Sequence, residues 1–420
     1  MKYSDIKQLL EKYNKDRGYC LKMRKRYTTE SIPIKYEINP AYVDQDVSER
    51  CKPDRRLYNH FEKEIVDTKV SYFAGYPVKI MSYDNNSDLN SFIDNFNIAS
   101  NYEDLMSELV KECSISGKGG VLLYKNEEAE VMATNLPGHE FKVFYNMKDP
   151  VAALRKYTDG NDVDTIEYYD KDTLHVLKLM NKEWISYEPV LHGFGRVPLI
   201  ELVNNAESQS DYHSVVDLID AYNRLITDFS NEVESFRLAY LILKNINASK
   251  EDLAKLRETG ALMLDKDGDA YFLTKEINTE AISTLKEIME RNIVRFASHV
   301  DFTSDGFTGN LTKIAVAYKL RPLEQKSRTL ELKFSAFLRE LYRTLFSYKG
   351  LSVTYDYTAL VFKYTRNIPI NILDSAEAAI KLKGLVSERT LLSTLDFIGN
   401  VDDELALIKE EIGENNNGNN

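Results

Sequence analysis

From Val215 onward, apolar residues recur three or four positions apart: Val215, Leu218, Ile219, Tyr222, Leu225, Ile226, Phe229, Val233, Phe236 and Tyr240. That spacing gathers them on one face of an α-helix. The pattern predicts a single amphipathic helix over 214–243, roughly 45 Å long at 1.5 Å per residue. Two more stripes follow. Ile282, Leu285, Ile288, Met289, Ile293, Phe296 and Val300 mark a second long helix. Ile314, Ala317, Leu320, Leu323, Leu330, Phe334, Phe337, Leu341 and Leu345 mark a third, beginning near Lys313. Pro322 lies inside it, and its missing N–H and bulky ring predict a kink.

What separates these helices is short. A small α/β insert at 247–275 holds a helix at 251–258 and a hairpin of 261–264 with 270–274. Its turn, Asp265-Lys266-Asp267-Gly268-Asp269, carries a glycine for the φ > 0 position. A polar loop at 301–312 contains Gly306 and Gly309. Upstream, Ile6, Leu9, Leu10 and Tyr13 predict a helix capped by Ser4. Helices are expected at 57–73 (ended by Gly75 and Pro77), 89–96 and 102–113, with a turn at 84–88. A strand is expected at 121–124 and a strand-rich stretch at 131–203. A polar linker at 204–210 precedes the first long helix. Downstream, a strand pair (352–357 with 360–364) and three short helices within 373–412 are expected. The tail 414–420 reads as disordered. The fold class is α+β, mainly helical.

Composition limits the chemistry. Of 420 residues, 43% are hydrophobic and 29% charged, ordinary globular usage. The net charge of -12 argues against a protein that grips nucleic acid tightly, since phosphate neutralisation drives such affinity. It leaves room for an acidic surface that DNA slides past. Cys20, Cys51 and Cys113 have no CxxC spacing, which points to a reducing compartment with no disulfide framework or zinc site. The start of the chain lacks a signal peptide's apolar stretch, and no run of about 18 apolar residues predicts a membrane span.

No motif points to catalysis. Ser116-Gly117-Lys118-Gly119-Gly120 has a phosphate loop's residues, but a helix precedes it and a strand follows, the reverse of a P-loop, so it reads as a turn. Asp265, Asp267, Asp269 and Glu276 match an EF-hand's spacing, but Ala270 stands where glycine is required, so a solvated hairpin tip fits better. The six histidines are scattered. No catalytic residue, cofactor or metal is expected. The third helix, in contrast, is rich in charge. Lys313, Lys319, Arg321, Lys326, Arg328, Lys333, Arg339 and Arg343 outnumber Glu324, Glu331 and Glu340. In an acidic chain such a strip favours a subunit interface.

The order of elements (long helix, small insert, long helix back, glycine-containing loop, kinked helix) resembles the core of portal proteins from long-tailed phages of Gram-positive bacteria. Local text carries the same resemblance. It includes Leu218-Ile219-Asp220-Ala221-Tyr222 with Asn223-Arg224-Leu225, and His192-Gly193-Phe194-Gly195-Arg196-Val197-Pro198. It also includes Phe272-Leu273-Thr274-Lys275, residues 301–319, and Tyr364-Thr365-Arg366-Asn367-Ile368-Pro369. The junction Asn310-Leu311-Thr312-Lys313-Ile314 departs from the small Ser-Gly pair common there.

The resemblance implies a wing over 1–210, stem helices at 211–246 and 277–300, and a clip at 247–276. It implies a tunnel loop at 301–312, a kinked tunnel helix at 313–349, wing strands at 350–369 and a crown at 370–413. About twelve copies would close a ring through which double-stranded DNA passes without sequence readout. Thr303, Ser304, Asp305, Phe307, Thr308, Asn310 and Lys313 would face that DNA. Lys255, Arg257, Asp265, Lys266, Asp267 and Asp269 would dock the terminase large subunit and later the head–tail adaptor. Major capsid and scaffold proteins are the other implied partners. The implied location is the virion's portal vertex, with the host cytoplasm during assembly. Two alternatives stay open: another phage structural oligomer, such as a head–tail connector, and a DNA-acting metal-dependent enzyme.

Overall fold

The computed structural model describes residues 3–31, 55–236, 240–244, 269–273, 278–302, 313–348, 351, 354–367, 377, 379–393, 395, 401 and 404–410. Helices are α1 (Tyr3–Tyr27), α2 (Phe61–Ala74), α3 (Ser87–Ala99), α4 (Tyr102–Ser116), α5 (Val216–Phe236), α6 (Thr279–Phe296), α7 (Lys313–Ser347) and α8 (Glu388–Ser393). Strands are β1 (Lys79–Ser82), β2 (Lys118–Lys125), β3 (Val131–Pro137), β4 (Phe141–Asn146), β5 (Asp149–Thr158), β6 (Asp164–Tyr169) and β7 (Thr173–Met180). They continue with β8 (Glu183–Ser186), β9 (Val190–Leu191), β10 (Leu199–Val203), β11 (Tyr240–Lys244), β12 (Asp269–Leu273) and β13 (Leu360–Lys363).

The body is built on α7. Its face of Leu330, Phe334, Phe337, Leu338, Leu341, Tyr342, Leu345 and Phe346 is almost fully buried. Around it lie Phe73 of α2, Ile93 and Phe96 of α3, Tyr102 and Leu109 of α4, and Val121 and Leu123 of β2. Each such side chain contributes about 1.5–3 kcal/mol of burial. The strand-rich stretch forms two antiparallel sheets, β10-β2-β3 and β4-β5-β6-β7-β8 with β9 also on β7. Ile6, Leu10 and Tyr13 of α1 cover Leu154, Ile166 and Leu177 of the larger sheet.

The glycine-rich motif is a helix-to-strand turn. Gly117 ends α4 with φ +84, and a Cβ there would collide with the Ser208 carbonyl. Gly75 follows α2 with φ -67, so it is not the expected left-handed cap. A Cβ on it would strike the Ser71 carbonyl and the Asn367 side chain, so close approach is what demands glycine.

Four expectations need correction. Ser4 lies within α1 and donates to Asp5 Oδ1 at 3.0 Å, so it is not the cap. The α2 helix starts at Phe61; residues 55–60 have no regular structure. The first long helix ends at Phe236, and Tyr240–Lys244 is a strand paired antiparallel with Asp269–Leu273 (Tyr240↔Leu273, Lys244↔Asp269). An aromatic and β-branched apolar run suits a strand as well as a helix. Finally, Leu360–Lys363 pairs with Lys79–Ser82, and Tyr357–Ala359 is a single 3₁₀ turn, not a strand. The 251–258 helix and the 261–264 strand lie outside the described residues; of the C-terminal helical region, Glu388–Ser393 is helical and 404–410 is helical, while 394, 396–400, 402–403 and 411–412 lie outside the described residues.

Candidate functional site: the stem and its root

The two helices flanking the insert pack side by side and antiparallel. Ile219 shares an apolar cluster with Ile293 and Ala297, and Ile226 and Met289 pack against it. Tyr222 donates to Glu290 Oε1 at 2.6 Å. Chain order and direction therefore carry α5 away from the body into β11, and β12 leads back into α6.

The stem root is polar and buried. Asp211, just before α5, is 6% exposed. Its Oδ2 lies 2.8 Å from Lys69 Nζ of α2, and its Oδ1 lies 3.1 Å from Lys326 Nζ of α7. Asn204 Nδ2 donates to Oδ1 at 3.0 Å. Lys326 Nζ also donates to the Ala297 carbonyl at 2.9 Å, and Ser214 Oγ donates to Phe296 O at 3.1 Å. These two donors satisfy carbonyls that the end of α6 leaves open, and the ammonium complements the helix's negative terminus. Burial pushes the Asp211 carboxyl up, but Lys326 and Lys69 outweigh it and hold it far below the carboxylate range. Burial, together with the Lys69 charge, lowers Lys326, against the pull of Asp211.

A second tie fixes the stem to α1 and α2. Arg26 Nη2 reaches Glu62 Oε1 and Asp220 Oδ1, each at 2.7 Å. Tyr58 donates to Glu62 Oε2 at 2.6 Å.

A third contact is a ladder. Asn223, Thr227 and Asn231 form one row on α5. Asn223 Oδ1 accepts from Asn59 N at 2.9 Å, Thr227 Oγ1 from Leu57 N at 3.0 Å and Asn231 Oδ1 from Arg55 N at 2.8 Å. The geometry is commensurate. Four helical residues rise about 6 Å, and two extended residues span about 6.6 Å. Apolar periodicity does not reveal this row; its signal in the sequence is three short polar residues spaced four apart beside an apolar stripe.

On α7, the helix runs unbroken through Pro322, whose side is exposed. Arg366 reaches Glu324 at 2.9 Å and Glu331 at 2.6 Å, and Tyr72 donates to Glu324 at 2.7 Å. Lys118, from the glycine-rich motif, is buried over the Phe141 ring and lies 3.7 Å from Glu201. It serves a structural charge pair.

Among the sequence-derived site residues, Thr303, Ser304, Asp305, Phe307, Thr308 and Asn310 lie outside the described residues. So do Lys255, Arg257, Asp265, Lys266 and Asp267. Lys313 is the first residue of α7, and Asp269 the first of β12, opposite Lys244. Among the described residues no group of three His, Cys, Asp or Glu side chains could hold a metal ion. No described helix is long and apolar enough to cross a membrane. Cys20 and Cys113 are buried free thiols, both pushed up by burial, Cys20 to about 11.

The model of a family described as phage portal protein, SPP1 Gp6-like, matches residues 6–418. A portal protein of Clostridium phage phiCD119 is 26% identical over 391 residues, covering 85% of each chain. A portal protein of Bacillus phage SPP1 is 25% identical over 438 residues, covering 97% of this chain and 86% of its own. Among solved structures, a chain titled as the neck of a native GTA particle computed with C12 symmetry is similar in fold. Its TM-score is 0.50 at 14% identity, over 79% of this chain and 88% of that one.

Proposed function

The chain belongs to the SPP1 Gp6-like phage portal protein family, and from that premise we propose that it is the subunit of a ring through which double-stranded DNA enters and leaves the capsid. As a portal protein it is a structural component of the virion, not an enzyme. The ring takes about twelve copies, a closed cyclic assembly built from one repeated contact. The observation that carries the reading is the path of the chain at the stem. Two antiparallel helices leave and rejoin the body at one buried charge cluster, and α7 follows directly.

In this reading α5 and α6 are the stem, and the segment between them, with β11 and β12 at its base, is the clip. The clip meets the terminase large subunit during packaging and the head–tail adaptor afterwards, through Lys255, Arg257, Asp265, Lys266, Asp267 and Asp269. The wing takes 1–210 and 350–369, and the crown 370–413. The loop at 301–312 faces DNA, with Thr303, Ser304, Asp305, Phe307, Thr308, Asn310 and Lys313 making weak contacts blind to sequence. Pro322 sets a bend in α7 that aims this loop. The terminase supplies the work, and the portal guides and docks. Capsid and scaffold proteins surround it, and assembly takes place in the host cytoplasm.

Deleting residues 303–310 tests the channel assignment. Rings should still form, and packaged DNA per head should fall. Loss of ring formation would place the loop in a subunit contact instead. A pull-down with the large terminase subunit separates this reading from that of another connector: a portal retains it, and charge reversal of Lys255 and Arg257 reduces the retention.

A further inference from the structure

The outward side of α7 is the largest feature the stem does not absorb. Tyr318 and Leu332 are 69% and 64% exposed, and Arg321, Gln325, Arg328 and Ala336 continue the same exposed stripe. From 318 to 336 it runs about 27 Å. The helix's acidic side chains offset it only in part, since Glu331 is shared between Arg366 and the stripe's own Arg328. Glu324 is held by Arg366, Glu331 by Arg366 and Arg328, and Glu340 by Arg196. The stripe is therefore basic, with two exposed apolar side chains.

A surface of the opposite character lies on α3 and α4. Over 87–116 the sequence has six carboxylates (Asp88, Asp94, Glu103, Asp104, Glu108 and Glu112) against one lysine, Lys111. Asp94, Glu103 and Asp104 are exposed, and Ile98 beside them is 79% exposed. Two grooves meet at Asn101. One, of about 740 Å³, runs between β1 and α3 past Asp94, Ile98 and Glu103. The other, of about 390 Å³, is lined by Asp104, Glu108 and Glu112. Phe96 and Tyr102 of these helices are buried in the core that holds the inner face of α7, and Phe96 lies 6.2 Å from Tyr342, ring to ring. Glu112 is buried and paired with Arg24, and Glu108 is paired with Lys111, so Asp94, Glu103 and Asp104 carry the outward charge of this face, and no described ion pair joins them to the α7 stripe within the subunit.

We infer that the basic stripe of α7 docks onto the acidic α3–α4 face of a neighbouring copy of this chain. The inference rests on the ring reading. A cyclic assembly joins two different patches of the same subunit, and these two match in charge and in exposed apolar side chains. Complementary charge also fixes the register in which copies meet. DNA would answer the arginines but not Leu332, so a second copy is the better occupant.

Charge exchange tests it. Purified full-length chains are followed by light scattering across a concentration series, with melting curves as a check on folding. R321E/R328E should raise the concentration for half-assembly roughly tenfold or more. E103K/D104K should do the same, and the two pairs combined should return it most of the way to wild type. The neutral R321Q/R328Q should weaken assembly by less, which guards against a misfolded reversal. Assembly unchanged by either reversal would overturn the inference. So would a folded combination as impaired as its parts, or R321E/R328E rings that form normally but fail to package DNA. A wild-type chain that stays monomeric at every concentration would overturn the ring reading and this inference with it.

Discussion

The body and the stem root are held together by different physics. In the body, α7 turns eight large apolar side chains from Leu330 to Phe346 into a core with aromatic neighbours from α2, α3 and the Tyr355 segment. Such packing is strong but tolerant, since it depends on volume more than on direction. At the root, Lys69, Asp211, Asn204 and Lys326 meet in a largely buried cluster, and each bond has a direction. A buried ion pair adds little net stability over an apolar replacement, yet breaking it is costly. The difference teaches a division of labour. Packing makes the body robust, while the buried charges set where the stem and α7 sit relative to it.

The comparison can be broken at the body first. Phe334→Ala should cost about 3–5 kcal/mol, measured by urea unfolding, and should loosen α2, α3 and α7 together. Asp211→Asn comes next, at about 2–3 kcal/mol, because it keeps the shape but leaves two buried ammonium groups without their counter-charge. Its signature is local: hydrogen exchange should speed up at 204–215 and 294–300 and change little at 330–346. Uniform acceleration would mean that the root is part of the body after all. Asn223→Ala should cost about 1–2 kcal/mol by stranding the Asn59 N–H, and should release residues 55–60 to proteolysis while α5 persists.

The smallest effect concerns pH. His139 is lowered to about 4 by burial and by Arg24 and Arg17. The unfolded chain therefore binds its proton first as pH falls. Stability from this group is present above about 6.5 and is lost between about 6.5 and 4. His139→Gln should flatten the pH dependence of Tm across that window. Asp211 has the same sign in a lower window: its stabilisation is present above the ordinary carboxylate range and fades only in stronger acid.

Much of this was legible in the sequence, and the failures have physical causes. The stripes of α5, α6 and α7 were readable because each helix buries one side only. The end of α5 was not, because Tyr240-Leu241-Ile242-Leu243 is apolar at every position and fits either period. Pairing of β13 with β1 joins residues 278–284 positions apart, and no local pattern encodes such a partner. The charge excess of α7 was visible, but Lys326 read as part of a strip for a subunit interface, since its internal role depends on partners from two distant segments, Asp211 and Ala297. The proposed DNA-facing and clip residues came from resemblance alone, and most lie beyond the described residues.

The central claim is that these subunits close into a portal ring. Its most direct test is the mass of the purified chain in solution, measured by light scattering on a sizing column, with negative-stain images of the same peak. The account predicts a closed ring of about twelve subunits around an open channel. A compact dimer with no central hole, persisting at high concentration, would contradict it.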